Sequence, residues 1–471
     1  MVFSSLEFLL LYLTVTLLLY FIVPLKLRNI VLLVVSLIFY GWGEPVYMFL
    51  MMFTITVDYI FGMLVEKSLL KNDRKHAKMY MIIAIVINLA ILGFFKYFNF
   101  FIENLRLIPG LQFMQPIDGL ALPIGISFYT FQALSYVIDV YRMDTPAQKN
   151  IASFGAYVTL YPQLIAGPIV RYKDVDDQLN EREHSVALFA EGTRTFIAGL
   201  CKKIFLANMV GQLWESFKAV PSNELTVVGA WFGMICYSFQ IYFDFSAYSD
   251  MAIGLGKMIG FRVLENFNYP YISKSITEFW RRWHMSLGTW FRDYVYIPLG
   301  GNRCSKWKQL RNIFVVWFLT GFWHGASWNY ILWGLYYFAL LMIEKLFLLK
   351  KLEKAPAFVQ HLYTLFFVLF GWLLFVFEDL GAGMVYLGNM FGIGGGGFIG
   401  SLDIYNLVRN LIFFVILVIA ATPLPKKIYR ELTEKYEAAK IAFAGVGIVG
   451  VLMSLAYLVD STFNPFLYFR F

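Results

Sequence analysis

Cysteine and charge are both scarce in this chain of 471 residues. The three cysteines, Cys201, Cys236 and Cys304, lie in unlike contexts with no paired spacing, which excludes a disulfide framework and a cysteine zinc site. Charged residues make up 15% of the chain, against 59% apolar and 19% aromatic residues, and the mean hydropathy is +0.63. A soluble domain carries about 25% charged and about 45–50% apolar residues. The apolar excess here recurs from end to end. A soluble enzyme, a disordered scaffold and a secreted disulfide domain are therefore excluded, and a multi-span membrane protein is left. No internal repeat is visible, so the inverted-repeat architecture of many transporters has no support. The first apolar stretch lacks a basic leader and an Ala-x-Ala site, and it reads as a retained span.

What is present is a series of apolar runs near the ~20 residues that a transmembrane helix needs. They fall near 6–25, 29–43, 46–65, 79–101, 122–141, 187–212, 226–246, 357–377, 403–422 and 441–459. The expected fold is all-α and polytopic, with about ten full spans, as one domain over 1–471 whose catalytic core lies near 120–345. Glu191, Arg194, Lys202 and Lys203 interrupt the 187–212 run, which predicts a helix lining a wet interior. The net charge of +8 comes from 39 basic and 31 acidic residues. In a membrane protein that balance points to cytoplasmic loops rather than to nucleic acid. Placing the clusters Lys67 to Lys78, Lys345 to Lys354 and Lys426 to Lys440 in the cytoplasm puts both termini outside it. Residues 312–344, apolar but flanked by Arg311 and Lys345, then read as a hairpin that enters from the cytoplasm and returns there. The polar stretches 168–186 and 265–310 read as cytoplasmic loops and surface helices.

Five histidines are available for chemistry. His76 and His184 sit in charged loops and are expected to be solvated and inert; His361 opens a span and is expected to pack at the interface. His324 lies in TGFWHGASWN, at the tip of the expected hairpin. About twelve residues precede it from Asn312, roughly 18 Å of helix and about half a bilayer. An ionisable side chain at that depth is a functional candidate, and an imidazole is a ready general base. The local residues leave open a packing histidine bonded to a neighbouring helix. Gly321 and Gly325 permit a close approach or a helix break there.

His284 lies in EFWRRWHMSLGTWFRDYVYIPLGG. Arg281, Arg282 and Arg292 with Trp283 make a candidate entrance for an anionic, phosphate-bearing donor; the same residues also suit an interface helix whose aromatics anchor and whose arginines snorkel. Asp244, Ser246 and Asp250 end an apolar run, Gln132 closes the broken stretch LPIGISFYTFQ, and Asn329 follows His324. These five are candidate lining residues of a polar interior. No carboxylate ladder or Gly-rich loop supports a metal site.

FWRRWHMSLGTWFRDYVYIPLGG followed by FWHGASWN resembles the membrane-bound O-acyltransferase (MBOAT) family, and within it the bacterial alginate O-acetyltransferase branch. The likeness extends through YPQLIAGPIVR, YFDFSAYSDMAIGLGKMIGF and NPFLYFRF, nearly the whole chain. It implies helices around a membrane tunnel, with His324 as catalytic and His284 as supporting histidine. It further implies a multi-pass protein of the cytoplasmic membrane that takes an acetyl group from a cytoplasmic thioester, acetyl-CoA, for O-acetylation of a cell-wall or exported polysaccharide. No permanently bound cofactor is implied. The expected partners are an esterase-like extracytoplasmic transferase, the polysaccharide acceptor and membrane lipids. The alternative within the family is D-alanyl transfer from an acyl carrier protein to teichoic acid; the alternative outside it is a channel or transporter for an anionic solute. Tyr468 is a candidate covalent acyl relay, since a phenol can carry an acyl group. An aromatic interface anchor explains that segment equally simply.

Overall fold

The computed structural model describes residues 1–165, 167–461 and 463–467, and among these every regular element is helical. By length and composition, six helices can cross a membrane: Tyr47–Leu70, Arg74–Leu105, Val186–Lys218, Trp328–Leu352, Ala357–Val376 and Glu437–Asp460. A seventh is gained if Ser401–Arg409 and Leu411–Ala420, bent by 58° to each other, count as one. Against the ten runs expected, the first forms the shorter apolar helix Glu7–Ile22 and the second the 14-residue helix Arg28–Gly41. The fifth run begins its helix only at Ile126. Gly125 before it is left-handed (φ 73°) and packs directly on the Leu164 carbonyl, leaving no room for a Cβ. The seventh run lies in the 32-residue helix Val227–Met258, which Gln240, Asp244 and Asp250 make too polar to qualify.

Two compact units partition the chain, Met1–Phe196 with Tyr248–Leu264, and Ile197–Ala247 with Glu265–Phe471. In the first, Phe3, Phe8, Tyr12, Phe39 and Tyr161 form a buried aromatic core. Gly62 gives the ring of Tyr136 a place against the Tyr47–Leu70 helix, and Asp58 accepts from Asn88 at 2.8 Å between two spans. In the second, the hairpin of Lys306–His324 and Trp328–Leu352 closes on Gly321 and Gly334, whose backbones touch. The Glu437–Asp460 helix exposes Val446, Ile448 and Leu452, aliphatics that water would penalise and lipid does not.

Candidate functional site

His324 is the last residue of the Lys306–His324 helix; extended Gly325 (φ −172°) then opens the turn to the helix at Trp328. The expected hairpin tip is where the residue lies. Gly325 fits because the Tyr330 ring fills the space a Cβ would need. The imidazole, 3% exposed, sits in an aromatic box with Trp323 at 5.1 Å, Trp333 at 5.0 Å and Phe375 at 5.3 Å between ring centroids. Asn329 fixes one wall of this box: its side-chain amide donates to the carbonyls of Leu374 and Phe375 at 3.3 and 3.2 Å. Its Oδ1 is buried without a hydrogen-bond partner.

His284 sits between the short helices Ile276–Arg282 and Met285–Phe291, 2% exposed. Its backbone is left-handed (φ 46°, ψ 53°), which costs a residue with a Cβ about 1–2 kcal/mol and so needs enforcement. Asn266 supplies it. Its backbone carbonyl accepts from Met285 N at 2.9 Å, while its Oδ1 accepts from Ser286 N at 3.1 Å and Ser286 Oγ at 2.9 Å. A backbone N–H can only donate, so that side-chain atom is the oxygen. The same oxygen lies 3.2 Å from His284 Nδ1, which must therefore carry a proton, leaving the lone pair on Nε2. Burial pushes the imidazole pKa down to about 3, so His284 is neutral at physiological pH. The edge of Phe245 meets its ring at 4.8 Å, and Trp323 lies 6.0 Å away. One indole thus neighbours both histidines.

Glu344 ties the hairpin to the segment leading into His284, because its carboxylate accepts from Ile276 N, Thr277 N and Thr277 Oγ at 2.7, 2.8 and 2.6 Å. His361, expected at the interface, holds the same segment with Nδ1 3.0 Å from the Ser273 carbonyl oxygen.

The three arginines of the candidate entrance separate. Arg282 pairs with Glu278 at 2.8 Å and Arg292 with Asp293 at 2.7 Å. Arg281 is exposed and forms no ion pair among the described residues. Trp283 is buried between Phe279 (5.6 Å, stacked) and Trp372 (4.7 Å), in core packing rather than on a surface.

Asp244 accepts from Lys203 Nζ at 2.6 Å, and both side chains are 2% exposed. Residues 463–467 close over this pair. Lys203 Nζ also donates to the Pro465 carbonyl, Asp244 Oδ2 accepts from Leu467 N at 2.9 Å, and Asn208 donates to Asn464 at 3.2 Å. Of the charges expected to line a wet interior, Lys203 is buried and paired with Asp244. Ser246 Oγ is buried with no hydrogen-bond partner. Gln132, whose Nε2 donates to Gln163 at 3.3 Å, and Asp250 belong to the first unit. Tyr468 lies outside the described residues. Among the described residues no three His, Cys, Asp or Glu side chains converge on a possible metal position.

Sequence reading missed Asn266, Glu344 and the partnership of Lys203 with residues 463–467. An asparagine in ENFNYP carries no local mark of its task. Lys203 did stand out, as a charge inside an apolar run, but its partner did not.

Residues 145–385 match the family model for MBOAT, the membrane-bound O-acyltransferase family, and the chain belongs to that family. It is an O-acyltransferase and a multi-pass membrane protein. Among its relatives, a probable alginate O-acetylase of Pseudomonas aeruginosa is 45% identical over 382 residues, covering 81% of this chain and 73% of its own. The protein of the same description from Pseudomonas putida is 39% identical over the full length of both. A teichoic acid D-alanyltransferase of Bacillus subtilis is more distant, 32% identical over 49% of this chain and 61% of its own.

Proposed function

We propose that this protein transfers an acetyl group from cytoplasmic acetyl-CoA, by way of a membrane tunnel, for O-acetylation of an exported or cell-wall polysaccharide. The observation that carries the reading is His324, buried at a glycine-flanked hairpin tip and sharing Trp323 with a second histidine whose tautomer is fixed. His324 acts as general base. It takes the proton of an acceptor hydroxyl as that oxygen attacks the thioester carbonyl, and returns it to the departing thiolate. His284, held neutral by burial, orients the reacting groups through its Nε2. Trp323 keeps the two imidazoles in register. The shorter helices complete about ten passes in a single catalytic domain of the cytoplasmic membrane, with both termini outside the cytoplasm. An esterase-like extracytoplasmic transferase collects the group. Alginate O-acetylase is the description of the relatives that match most of this chain, which favours acetyl over D-alanyl transfer from a carrier protein.

Purified protein in proteoliposomes is expected to consume acetyl-CoA, which a solute transporter does not do. Arg281 is the cation left for the donor phosphates, since Arg282 and Arg292 have carboxylate partners. Arg281→Glu should raise the apparent KM for acetyl-CoA while kcat stays within about twofold, because ground and transition states lose the contact equally. An unchanged KM returns Arg281 to an interface anchor.

Tyr468 serves in this reading as the acyl relay, with its phenol oxygen taking the acetyl group and His324 accepting the phenol proton. Leu467, the residue before it, is held on Asp244. Tyr468→Phe keeps an aromatic anchor but removes the hydroxyl. It is expected to abolish polymer acetylation measured by mass spectrometry of surface polysaccharide; a normal acetyl content would end the relay idea.

A further inference from the structure

Far from His284 and His324 along the chain, the first unit gathers two guanidinium groups around one phenol with no carboxylate among them. Tyr20 donates to the Ile259 carbonyl at 2.7 Å. Its oxygen must then accept from its other two neighbours, Arg182 Nε at 3.2 Å and His184 Nε2 at 2.8 Å, which places the His184 proton on Nε2. His184 is thus not the inert, solvated residue its charged loop suggested. Arg182 spends its remaining contacts on the neutral oxygens of Gln178 and Asn29. Arg28 lies over the rings of Tyr20 and Phe21, at 5.0 and 5.4 Å. Its Nε and Nη1 are buried and have no hydrogen-bond partner. Neither arginine forms an ion pair among the described residues, so two like charges share a half-buried position uncompensated, which is unfavourable unless an anion joins them. Burial first, then the charges of Arg28 and Arg182, hold the His184 imidazole below its ordinary range.

Beside this cluster opens a cleft of about 330 Å³ lined by Phe21, His184, Val186, Phe189, Lys257 and Met258, among others, with Arg28 and Arg182 behind Phe21 and His184 rather than in its lining. Its walls are mostly apolar. Lys257 on its rim is paired with Glu191 at 2.8 Å, and the opening lies at the N-terminus of the Val186–Lys218 helix, where backbone N–H groups add positive potential. Val186 in its lining is exposed, as are Ile22 and Leu25 shortly after Phe21 in the chain, and exposed aliphatics with cations suit the membrane–water boundary. A free phosphate would use the cations and have no use for the apolar walls. A lipid uses both.

We propose that this cleft binds an anionic phospholipid, its phosphate compensating Arg28 and Arg182 and an acyl chain lying along Phe21, Val186, Phe189 and Met258. The full-length protein in detergent would be titrated with dioleoyl phosphatidylglycerol, dioleoyl phosphatidylcholine, inorganic phosphate and acetyl-CoA, with bound mass read by native mass spectrometry and stability by thermal melting. Phosphatidylglycerol should be retained and should raise the melting temperature, whereas phosphatidylcholine and inorganic phosphate should do neither. Arg28→Gln should weaken phosphatidylglycerol retention about fivefold, near the worth of one cation at a lipid surface, and Arg28→Lys should keep most of it. Val186→Glu, at an exposed position outside the Tyr20 network, should weaken retention by like-charge repulsion without a change of fold. Equal retention of both lipids overturns the proposal. So does unchanged retention in both Arg28→Gln and Val186→Glu. Stabilisation by inorganic phosphate alone, or displacement of the lipid by acetyl-CoA, would overturn it in favour of a small phosphate site or a donor site.

Discussion

Replacing His324 by alanine is expected to lower acyl transfer by about 10²–10⁴-fold, the usual worth of a positioned general base, while the protein still folds and inserts. The imidazole packs edge-on against Trp333 and Phe375, so truncation leaves a small cavity but no stranded charge. The hairpin closes on Gly321 against Gly334, and Asn329 ties it to the Ala357–Val376 helix through the Leu374 and Phe375 carbonyls; neither contact involves the imidazole. Melting temperature and acetyl-CoA turnover measured on the same preparation separate the two effects. A loss under tenfold at an unchanged melting temperature would reduce His324 to an orienting group.

The largest effect on stability is expected at Lys203. Lys203→Ala leaves the carboxylate of Asp244 buried and without its cation, for which the cost is about 3–5 kcal/mol. It also removes the donor to the Pro465 carbonyl. The double replacement Lys203→Met with Asp244→Asn deletes both charges at similar volume. It should recover most of the lost stability, since the desolvation of two ions roughly offsets their attraction. The asparagine keeps an oxygen able to accept from Leu467 N, where the wild-type carboxylate accepts at 2.9 Å. Thermal melting of the two single variants and the double variant forms the cycle. Additive losses would mean that the pair is not coupled. Proteolytic release of residues 463–467 in Lys203→Ala but not in the double variant would assign the pair to holding that segment.

Helix formation along the chain was legible because hydropathy and helical period are local properties. The membrane class, the hairpin with His324 at its tip, and the motifs placing the chain among O-acyltransferases all lie in short contiguous stretches. Span count was less legible. Run length predicts a crossing, but the start of the helix at Ile126 is set by Gly125 resting on the Leu164 carbonyl, a contact between segments far apart in sequence. The commitment of Arg282 and Arg292 was within reach, since Glu278 precedes Arg282 by one helical turn and Asp293 follows Arg292 directly.

By itself, then, the sequence determined an all-helical membrane O-acyltransferase with His324 and His284 as its candidate histidines, because apolar length, helix-breaking glycines and motif order need no tertiary information. Only the tertiary structure decided how those residues are held. Asn266, 18 positions before His284, fixes its tautomer; Lys203 finds Asp244 41 positions away; and Leu467 reaches the same carboxylate across 223. The physical reason is that a buried polar group must be paired wherever it ends up. Which partner meets it depends on how distant helices pack, and no local pattern records that.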